Sequence, residues 1–374
     1  MKHIVIRCED RAPAEQALSS LLDGAKTPAL LQLAQAGAAG RLRWPGAQPA
    51  DRFALHQALL GLEAWPAGWC YAAAANVQLE PDETAWCCDL VTQRDGQIID
   101  PSAGGIASIE SRILLQSLDQ QLSSDIRRWE PGEGGHHVLV TSDPALRADE
   151  GTAVPSAAVL AGQAWTRRLP AGRVGDALRA LLDAAARILE PHPINRVRVD
   201  LGENPANLVW LWGGGMPARG TAPASRAVAI LSDSFAVRGL ARAAGLTASA
   251  GLSSAFGEQE VKACAGAALA ALERHDAVYI HAQVRSTDPV ERLCAMERID
   301  QHLIKLLAGS LSRTGPWRLL AAVDGRDGQV PCIAIGTGLP KQPVARLGAE
   351  QLEASPLVFE GGRRLREWFL DEPA

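Results

Sequence analysis

Two acidic residues, Glu9 and Asp10, stand after the apolar run HIVIR with only Cys8 between, and Asp324 stands directly after a second such run, WRLLAAV. Open α/β sheets place their ligand crevices at the carboxyl ends of strands. Glu9, Asp10 and Asp324 are therefore candidate ligands for a divalent cation, which prefers clustered carboxylate oxygens. The plainer reading is that they cap helices and turns. A second concentration of polar chemistry lies in HPINRVR and the NPANLVWLWGGGMP that follows it. Asn195, Arg196 and Arg198, with His192, could grip an anion through charge-assisted hydrogen bonds, or could be a solvated helix face. Leu208–Trp212 reads as an apolar strand and Gly213, Gly214 and Gly215 as a turn whose missing Cβ atoms admit a phosphate or another backbone. On local grounds the strand-turn and the ligand loop are both open.

The elements that must position these residues alternate. Strand-like runs occur at HIVIR, RAVAIL from Arg226, DAVYIHA from Asp276, WRLLAAV from Trp317 and VPCIAIG from Val330. Several are continuously apolar, as strands buried on both faces of a parallel-rich sheet are. Helical periodicity fills Ser234–Gly245, Glu258–Arg274 and Pro289–Leu307 between them, which predicts an α/β layered domain. The middle of the chain differs. AWCCDLVTQRDGQIID reads as a hairpin closed at Asp95-Gly96, followed by a helix over Ile106–Leu122 and a strand at HHVLVTS, a smaller α+β unit. The Pro/Ala/Gly-rich stretch from Ala145 to Gly172 reads as a linker or extended loop leading to a helix around Asp176–Leu189. The predicted plan is one large domain, 1–64 with 176–374, interrupted by an inserted domain, 65–175.

Composition narrows the function classes. A chain of 374 residues, 47 % apolar and 21 % charged, is globular and long enough for two domains. Its net charge of −5 supplies no general basic field of the kind that neutralises phosphates, so nucleic acid is not an expected partner. MKHIVIRCED carries charges too early for a secretory core, and AWPAGWCYAAAANVQL is too short and too polar for a membrane span, so a cytoplasmic protein without a membrane partner is expected. Seven cysteines without paired C-x-x-C spacing read as buried thiols.

One resemblance covers most of the chain in order. HPINRVRVDLGENPANLVWLWGGGMP resembles the signature of the archaeal-type cofactor-independent phosphoglycerate mutases, of the alkaline-phosphatase metalloenzyme superfamily. GAKTPALLQLAQAG is similar to their early helix, LLGLEAWP to their LLGYDP-like turn, CDLVTQRDGQIIDPSAGGI to their insert-domain hairpin, and SDSFAVRGLARAAGL to a later strand-to-helix segment. The resemblance implies an alkaline-phosphatase-like three-layer α/β/α domain with an inserted α+β domain. It also implies a mechanism in which two divalent metals (Mn, Zn or Mg) activate a serine that carries the phosphoryl group between the hydroxyls of phosphoglycerate.

This chain departs from the pattern at nearly every position that the resemblance makes catalytic. The first-strand aspartate falls at Glu9 and the nucleophilic serine near Arg52. The Asp-x-x-x-His pair expected after His281 is missing from QVRSTDPVERL, and of the later Asp-His pair only Asp324 remains, with Gly325 at the place of the histidine. An arginine and an asparagine that face substrate in the family fall at His136 and Asp89. Ser102, Asn195, Arg198, Asn204, Asn207 and Trp212 survive, as architecture or as substrate and phosphate contacts. Three functions follow as expectations. The first is a pseudoenzyme without the metal chemistry, binding a phosphorylated small molecule or a protein partner. The second is an active mutase, phosphotransferase or phosphatase with a metal site rebuilt from Glu9, Asp10, Asp288 and Asp324. The third is a phosphometabolite sensor using Asn195, Arg196, Arg198 and the glycine turn.

Overall fold

A computed structural model of the chain describes residues 1–10, 21–43, 52–62, 65–148, 152–216, 227–253, 256–286, 288–313, 315–325 and 329–370. In chain order the elements are β1 (Lys2–Asp10), α1 (Leu21–Gly24), α2 (Pro28–Ala36), β2 (Ala38–Arg43) and α3 (Arg52–Leu60). There follow α4 (Ala67–Ala74), β3 (Thr84–Arg94), β4 (Gln97–Asp100), α5 (Ser108–Leu122), β5 (Arg127–Glu133), β6 (His136–Thr141), β7 (Gln163–Ala164), α6 (Arg173–Leu189), α7 (Pro193–Asp200) and β8 (Leu208–Gly215). The chain continues through β9 (Val228–Ser232), α8 (Phe235–Ala243), β10 (Thr247–Ser249), α9 (Glu258–Arg274), β11 (Ala277–Val284), α10 (Pro289–Ile299) and α11 (Lys305–Leu311). It ends with β12 (Trp317–Val323), β13 (Gln329–Gly336), α12 (Ala349–Ala354), β14 (Val358–Glu360) and α13 (Gly362–Leu370).

The larger unit, Met1–Ala64 with Ala222–Ala374, is built on an eight-stranded sheet in the order β10-β9-β11-β1-β12-β13-β2-β14. From β10 to β12 the neighbours are parallel, while β13 runs antiparallel to both β12 and β2. Side chains alternate across a strand with period two, and here that alternation makes the layers. Ile4, Ile6 and Cys8 of β1, with Val278, Ile280 and Ala282 of β11, enter a core shared with Leu30 of α2, Ala265 of α9, Met296 of α10 and Leu307 of α11. The intervening residues face the other way: His3 packs edge-on against Phe369 of α13, and Glu9 reaches His56 of α3. The result is a three-layer α/β/α domain. On the first face, α2 is capped by a side chain distant in sequence, because the backbone N–H groups of Ala29 and Leu30 donate to the Asp300 carboxylate at 3.0 and 2.7 Å.

The smaller unit, Trp65–Thr221, is α+β. A six-stranded antiparallel sheet runs β5-β6-β3-β4-β7, with β8 paired to β3. The β3–β4 hairpin turns at Asp95 and Gly96, both at positive φ, as an Asp-Gly turn requires. The predicted return to the large domain at residue 176 is corrected: α6 packs on α5 and β8, and β8 hydrogen-bonds along β3, so these elements complete the small sheet. The Ala145–Gly172 stretch also lies inside this unit, where β7 pairs with β4, and is not an interdomain linker.

Candidate functional site

The register of the large sheet concentrates polar side chains on the face opposite the apolar core. In β11, Tyr279, His281 and Gln283 share that face, and in β1 Arg7 and Glu9 do; Arg7 lies across from His281 and Glu9 across from Gln283. Ser232 of β9 lies across from His281 on its other side. Helix α3 lays His56 over these strands. His56 Nε2 is 3.0 Å from Glu9 Oε1, His56 Nδ1 is 2.6 Å from the Tyr279 hydroxyl, and His281 Nε2 is 3.4 Å from Glu9 Oε2. Ser232 Oγ sits 3.0 Å from His281 Nδ1 and accepts the Ser234 N–H, while Gln283 Nε2 donates to Glu9 Oε2 at 3.1 Å. The two imidazoles meet edge to face with centroids 4.5 Å apart.

Glu9, His56 and His281 are all buried, at 0, 2 and 1 % exposure, and their donor atoms lie within 4.8 Å of one another. Burial pushes the Tyr279 hydroxyl well above its usual range, so it meets His56 as a neutral phenol. Chemically the cluster can share protons or hold one cation. Sequence reasoning singled out Glu9 but passed over His56 and Gln283. The signal was there as period-two spacing of polar residues within an apolar strand, Tyr279-x-His281-x-Gln283 beside Arg7-x-Glu9.

Asp324 belongs to a different set of contacts. The Arg7 guanidinium forms an ion pair with it, Arg52 Nη2 lies 3.7 Å from its Oδ2, and the Asp10 N–H donates to the same oxygen at 3.1 Å. Burial works against a charged Arg7, but Asp324 and Glu9 hold its pKa above the ordinary arginine value. The Asp10 side chain lies 3.8 Å from Nε of the fully buried Arg292. Asp288 is exposed at the N-terminus of α10, where its carboxylate accepts the Val290 N–H at 2.8 Å. A metal site of Glu9, Asp10, Asp288 and Asp324 is thus not assembled: the first faces histidines, the second and fourth face arginines, and the third is a helix cap.

The retained motifs sit in the smaller unit, bonded to backbone and side-chain groups of that same unit. Asn195 donates to the carbonyls of Leu189 and Ala206 at 2.7 and 2.9 Å and accepts the Ala206 N–H at 2.8 Å. Arg198 donates to Asn204 O, Ala103 O and Glu110, each at 2.9 Å. Asn204 and Ser102 both donate to Asp100, and Asn207 pairs with the backbone N–H and C=O of Gln93. Trp212 Nε1 donates to Asp89 at 2.6 Å, and the other Asp89 oxygen lies 2.7 Å from His136 Nδ1. The glycine triplet is corrected from a turn to the bulged end of β8. A Cβ on Gly214 would stand 2.5 Å from the Trp86 ring, and one on Gly215 2.3 Å from Pro66, so close packing is what these glycines permit.

The family model described as 2,3-bisphosphoglycerate-independent phosphoglycerate mutase matches residues 68–195. A 2,3-bisphosphoglycerate-independent phosphoglycerate mutase of Methanosarcina mazei is 30 % identical over 305 residues, 76 % of this chain and 75 % of that protein. The chain belongs to this family. A probable mutase of Geobacter sulfurreducens is 27 % identical over 99 % of this chain and all of its own length. Two solved structures share the fold at 19 % identity: a Pyrococcus horikoshii protein, with a TM-score of 0.67 over 99 % of this chain and 96 % of its own, and the cofactor-independent phosphoglycerate mutase of Thermoplasma acidophilum, with 0.55 over 99 % of each.

The two divalent metals implied by the family resemblance do not fit the described residues. Arginine guanidinium groups already neutralise Asp324, and a divalent ion a few Å from them would meet repulsion of about 4 kcal/mol or more per unit charge pair at an effective dielectric of 20. The carboxylates named for a rebuilt pair face separate partners. No helix among the described residues is long and apolar enough to cross a membrane.

Proposed function

We propose that this family member has lost metal-dependent phosphoryl transfer and acts as a binding or regulatory pseudoenzyme, taking a phosphorylated small molecule or a protein partner. The observation that carries the reading is the pairing of Arg52 and Arg7 with Asp324. By the resemblance, the nucleophilic serine falls near Arg52, and Asp324 takes the place of a metal ligand. A guanidinium remains protonated at physiological pH and cannot accept a phosphoryl group as a serine alkoxide does. Membership in the alkaline-phosphatase superfamily is part of the same reading, supported by the three-layer domain. So is a cytoplasmic location, with which six buried thiols accord.

The sensor alternative draws on Asn195, Arg196, Arg198 and the glycine triplet. The internal bonds of Asn195 and Arg198, and the packing of the glycines, weigh against it. Trapping decides between a silent and an active site: the protein is incubated with ³²P-labelled phosphoglycerate and Mn²⁺, then quenched in denaturant. The expected result is no labelled protein; a stoichiometric phosphoenzyme would overturn the proposal.

A further inference from the structure

We infer that Glu9, His56 and His281 form a mononuclear site for a divalent transition metal of the zinc class. Its ligands differ from the two-metal set implied by the family resemblance, since neither histidine belongs to that set. The inference goes beyond the proposed function and does not depend on it.

The ligand types select the metal. Two imidazoles and one carboxylate make a borderline donor set suited to Zn²⁺, unlike the all-oxygen sets that suit Mg²⁺ or Ca²⁺. The spacing agrees. With metal–ligand bonds of about 2.0–2.1 Å, the edges of a tetrahedron are roughly 3.3–3.4 Å; here His56 Nε2 lies 3.0 Å from Glu9 Oε1 and His281 Nε2 3.4 Å from Oε2, and one donor atom from each residue lies within 4.8 Å of the others. A small expansion opens the cluster to one ion.

The two rings are also held in orientation. Each imidazole turns Nε2 toward the carboxylate while its Nδ1 meets a hydroxyl, Tyr279 for His56 and Ser232 for His281. Ser232 is itself fixed by the Ser234 N–H, and Glu9 Oε2 is held by the Gln283 amide. Outer partners of this kind set the tautomer and ring angle of metal-ligating histidines. Four elements supply the arrangement: β1, β9 and β11 through their register and α3 from above the sheet.

Burial agrees with this: all three ligand residues are shielded from water, where a carboxylate is costly to hold without opposing charge. Arg7 supplies part of that charge to Glu9 but is itself ion-paired with Asp324 and bonded to the Cys8 and Ala322 carbonyls, so an ion at Glu9 meets a compensated guanidinium.

The test is elemental analysis of the full chain as purified, after chelator treatment, and after reloading with Zn²⁺ or Co²⁺ and desalting. The expected result is one ion per chain, a Co²⁺ form with the intense visible bands of tetrahedral N/O coordination, and loss of the ion in H56Q and H281Q. The outer-partner variant S232A keeps the fold by circular dichroism and weakens metal affinity about 10–100-fold, which separates ligation from folding. Background metal after reloading, with no Zn²⁺-dependent rise in melting temperature, would overturn the inference and leave the pseudoenzyme reading standing. Mutase turnover by a one-metal protein would do the reverse.

Discussion

Asp100 shows how a retained motif works at the scale of single residues. Burial favours its neutral form, but hydrogen bonds from the Ser102 hydroxyl and N–H, the Asn204 amide and the Gly104 N–H outweigh that and hold its carboxyl below the usual carboxylate range. A folded pKa below the unfolded one means stability present above the unfolded value, near 3.9, and lost as pH falls through the folded value. D100N should therefore flatten the acid limb of the denaturation profile, measured by urea melts from about pH 2.5 to about pH 7. His137 of β6 titrates with the opposite chemistry and the same outcome. Burial lowers its pKa to about 3, so the unfolded chain takes up a proton that the folded chain refuses, and stability is lost as pH falls below about 6.5. Asn195 is a structural residue in the same sense. N195A leaves the Ala206 carbonyl and N–H without their side-chain partner and removes one of the two donors to the Leu189 carbonyl, and should cost about 2–4 kcal/mol in chemical denaturation.

At the scale of elements, the strands of the large sheet were readable because continuous apolar runs bounded by helical periodicity have few other solutions. WRLLAAV is β12 and Glu258–Arg274 is α9. The antiparallel insertion of β13 and the edge strand β14 were not readable, since strand order is a long-range property that no local window carries. The glycine triplet failed for a similar reason: a strand end pressed against Trp86 and a ligand-binding turn need the same absent Cβ. G214A should therefore destabilise by about 1–3 kcal/mol through overpacking. G266A, at an exposed position of α9 with nothing within 4 Å of the added methyl, should stabilise by about 0.5–1 kcal/mol. Thermal and chemical melts of the two variants check both signs. The candidate metal cluster was half legible. Glu9 was singled out by its place after β1, but His56 reads locally as one more residue of the apolar helix RFALHQALL, and only the fold brings it to a strand pair whose polar residues repeat every second position.

At the scale of the whole molecule, family membership and the proposed loss of the family's chemistry are separate statements carried by separate residues. Membership rests on length-spanning similarity and on motifs such as HPINRVR and NPAN, which the smaller unit uses to tie α7 to β8 and the Asp100 turn. The chemistry would rest on positions that now carry Arg52, Gly325 and Glu9 in the larger unit. Restoring one of them does not restore the rest, so R52S alone should remain without mutase activity. The most direct measurement incubates the full chain with 3-phosphoglycerate and Mn²⁺, quenches in acid, strips the paramagnetic ion with a chelating resin, and then records the ³¹P nuclear magnetic resonance spectrum. The account predicts an unchanged spectrum; growth of 2-phosphoglycerate to its equilibrium share, absent from a no-protein control, would contradict it.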